Sequence, residues 1–170
     1  MQNRRVSLFL LTAALLGNGL CSAVEPAYGL QGGVAPDFAL RATSGSNFRL
    51  SERRGEVVML VFWGSRCGQC GPQLASLSRL VDTYRSAGLA ALAVNVDDDQ
   101  GAAMEFAAGH PVSFPVLLDP AKGVARTYRV DNLPMLLLVD RAGVIRHVHR
   151  NYRSGSDALY LDQVKVLLDE

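Results

Sequence analysis

The stretch from Val57 to Leu80, VVMLVFWGSRCGQCGPQLASLSRL, constrains this chain more than any other. It opens with an unbroken apolar run, Val57 to Trp63, rich in valine and aromatics, the pattern of a buried parallel strand. A turn through Gly64-Ser65-Arg66 delivers Cys67-Gly68-Gln69-Cys70. Leu74, Leu77, Leu80 and Val81 then recur at spacings of three and four, which predicts a helix. Two cysteines therefore sit where a central strand passes into the first turn of a helix. Free backbone N–H groups and the positive end of the helix dipole favour a thiolate there. A thiolate at that place is populated at neutral pH and leaves readily. The two-residue spacer lets the second thiol reach the first, so the pair reads as a reversible dithiol/disulfide.

The chain has 170 residues, enough for one domain with a proper core. Its apolar content, 49%, argues against disorder. Net charge is +1, with no basic block beyond Arg4-Arg5 and Arg53-Arg54, which argues against nucleic acid as a partner. The N-terminus has the layout of a targeting segment. Met1 to Arg5 carries two arginines, Val6 to Leu16 is an apolar run of signal length, and Cys21-Ser22-Ala23 offers small residues for cleavage after Ala23. Residues 1–23 are read as a cleaved secretory signal, with an uncleaved anchor through residues 6–20 as the alternative. A lipid anchor on Cys21 is disfavoured by Leu20 before it. Of three cysteines, only Cys67 and Cys70 then remain in the mature chain. An exported protein meets an oxidising compartment. A bridge between such close neighbours closes too short a loop to restrict the unfolded chain much, which points to redox use of the pair.

Residues 24–33, small and glycine-containing, read as a mobile linker, and residues 34–170 as the domain. Ala35 to Leu40 and Phe48 to Leu50 flank the turn Gly45-Ser46-Asn47 and predict a hairpin. After Ser51, Glu52 to Gly55 reads as a short helical turn, and Leu89 to Val96 as a second apolar strand. Asp97-Asp98-Asp99 looks like a metal-binding run, but a calcium loop needs spaced oxygen ligands, and acids at the start of a helix over Gln100 to Ala108 explain it better. Val116 to Leu118 is short and apolar, Lys122 to Tyr128 reads as a short helix, and Met135 to Val148 as a hairpin around Asp140-Arg141-Ala142-Gly143. The C-terminal helix, Asp157 to Leu168, takes its apolar residues from Leu159, Leu161, Val164, Val166, Leu167 and Leu168. Strands linked by helices and followed by a hairpin predict an α/β domain, a mixed sheet covered on both faces.

Five motifs carry a resemblance. They are Ala35-Pro36-Asp37-Phe38, the run Phe62-Trp63-Gly64-Ser65-Arg66-Cys67-Gly68-Gln69-Cys70, Val94-Asn95-Val96-Asp97, Ser113-Phe114-Pro115-Val116-Leu117-Leu118-Asp119, and Leu133-Pro134 before Met135 to Gly143. From about Val34 to Glu170 the chain resembles the thioredoxin superfamily and, within it, the exported TlpA/ResA/CcmG-like thiol–disulfide oxidoreductases. The resemblance implies a thioredoxin-like three-layer α/β/α sandwich with a central mixed β-sheet and an N-terminal β-hairpin. It implies that Cys67 attacks a partner disulfide, that Cys70 resolves the mixed disulfide, and that Pro134 is a cis proline against the pair. Leu133 and Pro134 would offer backbone to a partner's extended strand, and Arg66 and Trp63 would flank the site. Trp63 reads equally as a plain core aromatic, and Arg66 as an exposed arginine of little effect. No cofactor and no metal are expected. The implied partners are cysteine-containing exported proteins, apocytochrome c and copper-site assembly proteins among them, and a membrane thiol electron donor. A periplasmic monomer is expected, with reduction the commoner family role. A cation beside a stabilised thiolate pushes toward oxidation instead.

The chain departs from the family pattern in several places. Arg66 replaces the usual tryptophan before the first cysteine, and Gln69 the common proline between the two. Val61 stands where thioredoxins carry a buried acid, and Gln73 and Ala75 where the family often has Glu and Pro. A proton acceptor for the second thiol is therefore missing twice. Two other readings stay open. Two thiolates suit Cu(I), and His147 and His149 alternate on one strand face, although a structural zinc site would need four ligands. The opening Ala-Pro-Asp-Phe also occurs in peroxiredoxins, but Gly64 lies where those enzymes have Thr or Ser, three residues before the cysteine.

Overall fold

The computed structural model describes residues 29–153 and 155–170, so the expected signal with Cys21, and residues 24–28 of the expected linker, lie outside the described residues. The strands are β1 (Ala39–Ala42), β2 (Asn47–Arg49), β3 (Val57–Trp63), β4 (Leu89–Asn95), β5 (Val116–Leu118), β6 (Met135–Val139) and β7 (Ile145–Arg150). The helices are α1 (Cys70–Tyr84), α2 (Gln100–Gly109), α3 (Gly123–Thr127) and α4 (Ser156–Asp169). One sheet runs in the order β2-β1-β5-β4-β3-β6-β7. β3, β4 and β5 are parallel, β6 and β7 return antiparallel, and the β1–β2 hairpin joins antiparallel to β5. The expected mixed sheet with an N-terminal hairpin is therefore present.

β3 lies at the centre, paired with β4 on one side and β6 on the other, and every one of its residues is buried. Helices or loops cover both sheet faces, so nothing selects for polar residues at alternate positions. Val57, Met59, Val61 and Trp63 pack with Leu74 and Leu77 of α1, Ala103 of α2 and Val164 of α4. Val58, Leu60 and Phe62 face the opposite way, toward Phe38, Leu50 and Tyr128. α1 runs on through a short 3-10 turn to Gly88, whose φ of 96° reverses the chain where other residues would strain.

Two expectations are revised. The linker was expected to extend to Gly33, yet its end is tied down. The Gly32 N–H donates to the Ile145 carbonyl at 2.7 Å, the Ile145 N–H donates to the Gly33 carbonyl at 2.9 Å, and Val34 bridges Val144. Leu30 packs on the second core. The free side of β7 accepts these residues because its backbone there would otherwise go unpaired. On α4, Leu159 and Val166 are exposed at 48% and 59%, and the inward stripe is Tyr160, Val164 and Leu167. Composition cannot separate apolar residues that face the sheet from those that do not.

Candidate active site

The C-terminal ends of β3 and β4 open onto the turn that carries the cysteines. Cys67 and Cys70 form a disulfide with their Cα atoms 5.4 Å apart. Cys70 is the first residue of α1 and is fully buried, whereas Cys67, in the turn before it, is half-buried. The Cys67 N–H donates to the Gly64 carbonyl and the Cys70 N–H to the Cys67 carbonyl, each at 3.1 Å, so the turn is held by its own backbone. Cys67 lies at the mouth of a cleft of about 630 Å³, whose wall includes Arg66, Asp97, Lys122, Asn132 and Leu133. The Leu133–Pro134 bond is cis, as the resemblance implies. Gly64 is tight against Leu133, since a Cβ added there would sit 3.1 Å from the leucine Cδ1.

Arg66 is exposed beside Cys67 and has no hydrogen-bond or ion-pair partner among the described residues. Trp63 is only 1% exposed; it stacks on Phe106 with centroids 5.1 Å apart and offers no face to a docked chain. Val61 is a core residue of β3, and Gln73 is buried one turn beyond Cys70. The Gln73 side-chain amide donates to the Tyr160 hydroxyl at 3.2 Å, while its oxygen has no partner among the described residues. Burial pushes the Tyr160 phenol up, which keeps its proton in place. His147 and His149 stack on each other, and His149 meets Gln163 at 2.7 Å and packs on Tyr160. Neither histidine lines the Cys67 cleft. Among the described residues no cluster of three or more His, Cys, Asp or Glu is placed to hold a metal ion.

Asp97 is the residue that reading the sequence missed. In the triple-aspartate run, Asp99 accepts from the Gly101 and Ala102 N–H groups at the start of α2, as a helix-start acid does. Asp97 instead turns back to the redox turn. Its carboxylate accepts from the Ser65 N–H and from the buried Asn95 side-chain amide, both at 2.8 Å. The Asn95 oxygen in turn accepts from the Asp97 N–H at 3.1 Å. The available signal was position: Asp97 follows the end of a parallel strand next to the cysteine-bearing one, where open α/β sheets gather functional groups.

Residues 32–148 match the model of the AhpC/TSA family. The chain is similar to the thiol-disulfide oxidoreductase ResA of Geobacillus kaustophilus, with 34% identity over 117 residues, covering 69% of this chain and 67% of that protein. Among solved structures it superposes on a DsbE thiol:disulfide interchange protein from Chlorobium tepidum with a TM-score of 0.78 and 35% identity, covering 81% of this chain and 97% of that one. The exposed lipoprotein thioredoxin of Streptococcus pneumoniae gives a TM-score of 0.69 at 25% identity, over 78% of this chain and all (100%) of that one.

Proposed function

The chain belongs to the AhpC/TSA family and is a thiol–disulfide oxidoreductase of the ResA and DsbE kind, and on that premise we propose that it works outside the cytoplasm as a reductant of protein disulfides. Residues 1–23 direct export, and residues 34–170 form the working domain. Its substrates are exported proteins with paired cysteines, apocytochrome c being the type that suits the reading best. A membrane thiol donor returns the electrons.

The observation that carries the reading is the unequal exposure of the two cysteines: Cys67 lines the cleft and Cys70 is fully buried. In the reduced chain the Cys67 thiolate attacks one sulfur of the partner's disulfide. A Cys67–partner bond forms, and the partner's other sulfur leaves as a thiolate. Cys70 then loses its proton and attacks Cys67, which closes the Cys67–Cys70 bond and releases the second partner sulfur. Two electrons pass to the partner. Leu133 and Pro134 present backbone to the partner's strand, and Arg66 favours the Cys67 thiolate by its charge.

The test is equilibration of the full chain with dithiothreitol or glutathione. A potential at roughly −270 mV is expected for a reductant, and one nearer roughly −120 mV would make the protein an oxidant and overturn the direction. Cys70→Ser should accumulate a mixed disulfide through Cys67, whereas Cys67→Ser should form none.

A further inference from the structure

We propose that His110 is the proton acceptor for the resolving thiol, taking the place of the carboxylates this chain lacks. The inference rests on the division of labour between Cys67 and Cys70 proposed above. His110 follows the last turn of α2, and its ring lies over the first turn of α1. A Cβ added to Gly71 would fall 2.6 Å from its Nε2 and 2.7 Å from its Cδ2. The imidazole therefore occupies the space that the glycine leaves open, one residue along the chain from Cys70. The ring is fixed in this place by two contacts. It stacks on Phe106 with centroids 4.1 Å apart and planes inclined by 16°, and Phe106 stacks in turn on Trp63 at the end of β3.

The second contact sets the tautomer. His110 Nδ1 lies 2.9 Å from the Phe106 carbonyl oxygen, which can only accept, so Nδ1 carries the hydrogen. In the neutral ring Nε2 then bears a lone pair, and Nε2 is the atom against Gly71. Imidazole is the side chain that gains and loses a proton in the neutral range, which suits a group that must both accept and return one. The groups that α4 brings to α1 are already engaged: the Tyr160 hydroxyl accepts from Gln73, and the Asp157 carboxylate accepts from Ser76 and Tyr152. The first turn of α1, Cys70-Gly71-Pro72-Gln73, holds no acid or base apart from the thiol, and an amide such as Gln73 takes no proton. Val61 is apolar. Pro111, Val112 and Ser113 after the histidine carry no charge. The charged groups on the neighbouring segments are Arg66 in the redox turn, Asp97 bonded to Ser65, Glu105 on α2, and Arg85, which donates to the Ser113 carbonyl.

In the mixed disulfide the Cys70 thiol gives its proton to His110 Nε2. The Cys70 thiolate attacks Cys67, the Cys67–Cys70 bond forms, and the Cys67–partner bond breaks. The departing partner thiolate takes the proton from the imidazolium. Cys67 and Cys70 are oxidised, the partner is reduced, and the histidine ends as it began.

The experiment measures, in the full chain, how fast the reduced protein closes its disulfide after capture by glutathione disulfide, across pH 5 to 9. His110→Phe keeps the ring stack on Phe106 and removes both nitrogens. The wild-type rate is expected to rise with pH through an inflection. His110→Phe should lose that inflection and close about 100-fold more slowly near pH 7, the low end of what positioned proton transfer contributes. A His110→Phe profile that superposes on the wild type overturns the inference and leaves the roles of the cysteines standing. If Cys70→Ser releases glutathione from Cys67 as fast as the wild type, the thiol assignment itself fails and takes this inference with it.

Discussion

Asp97 shows how one side chain can serve structure and chemistry together. Its carboxylate holds the Ser65 N–H, two residues before Cys67, and the buried Asn95 amide. It also sets a negative charge in the wall of the cleft that Cys67 enters, opposite in sign to Arg66. A carboxylate near a thiol disfavours the thiolate, which lowers the stability of the reduced form and makes the pair more reducing. Asp97→Asn keeps an acceptor and removes the charge, so the redox potential should rise while stability changes little. Asp97→Ala should raise it as well and cost about 1–3 kcal/mol, because the Asn95 amide is left buried and unpaired. Redox titration and urea denaturation of both variants check this, and an unmoved potential in both would refute the electrostatic part. Cys67 and Cys70 were legible as a pair because a spacing of three carries its meaning locally. Asp97 was not, because its partner Ser65 lies 32 residues away in sequence. An acid just before a helix also has an adequate local explanation.

β7 gives the corresponding lesson for an element. Alternation along Ile145–Arg150 put His147 and His149 on one face, and the sequence could offer only a surface strand or a metal pair for them. In the fold, α4 packs over that face, and His149 is enclosed by Tyr160 and Gln163. Burial is the main cause that lowers the His149 imidazole below its ordinary range, with the Gln163 contact opposing it. His147 is lowered by burial first, then by the charges of His149 and Arg146. A histidine lowered on folding binds its proton more readily in the unfolded chain. Stability is therefore complete above the unfolded value, about pH 6.5, and declines as pH falls below it. Urea denaturation from pH 8 to pH 5 should show that decline in the wild type. A His147→Gln/His149→Gln double variant should flatten it, and an equally steep profile in the variant would exclude the pair as the cause.

At the scale of the whole molecule, two cores meet at one sheet, and α1 joins the redox turn to the first of them. Leu77 is fully buried between α1 and β3. Leu77→Ala should cost about 2–5 kcal/mol by denaturant unfolding, the range for truncating a buried leucine, and a smaller loss would mean that the site collapses around the gap. The sequence by itself determined the strand, the turn, the cysteine pair, the helix after it and the order of elements apart from β5, whose three residues read only as short and apolar. Each of these rests on apolar periodicity or on turn residues a few positions apart, which act before any distant contact exists. The tertiary structure alone decided which cysteine lines the cleft and which is enclosed. It also turned Asp97 back onto the redox turn, sank Trp63 into the core and laid His110 over Gly71. Those outcomes depend on packing between segments far apart in the chain, and burial and hydrogen bonding act on neighbours in space.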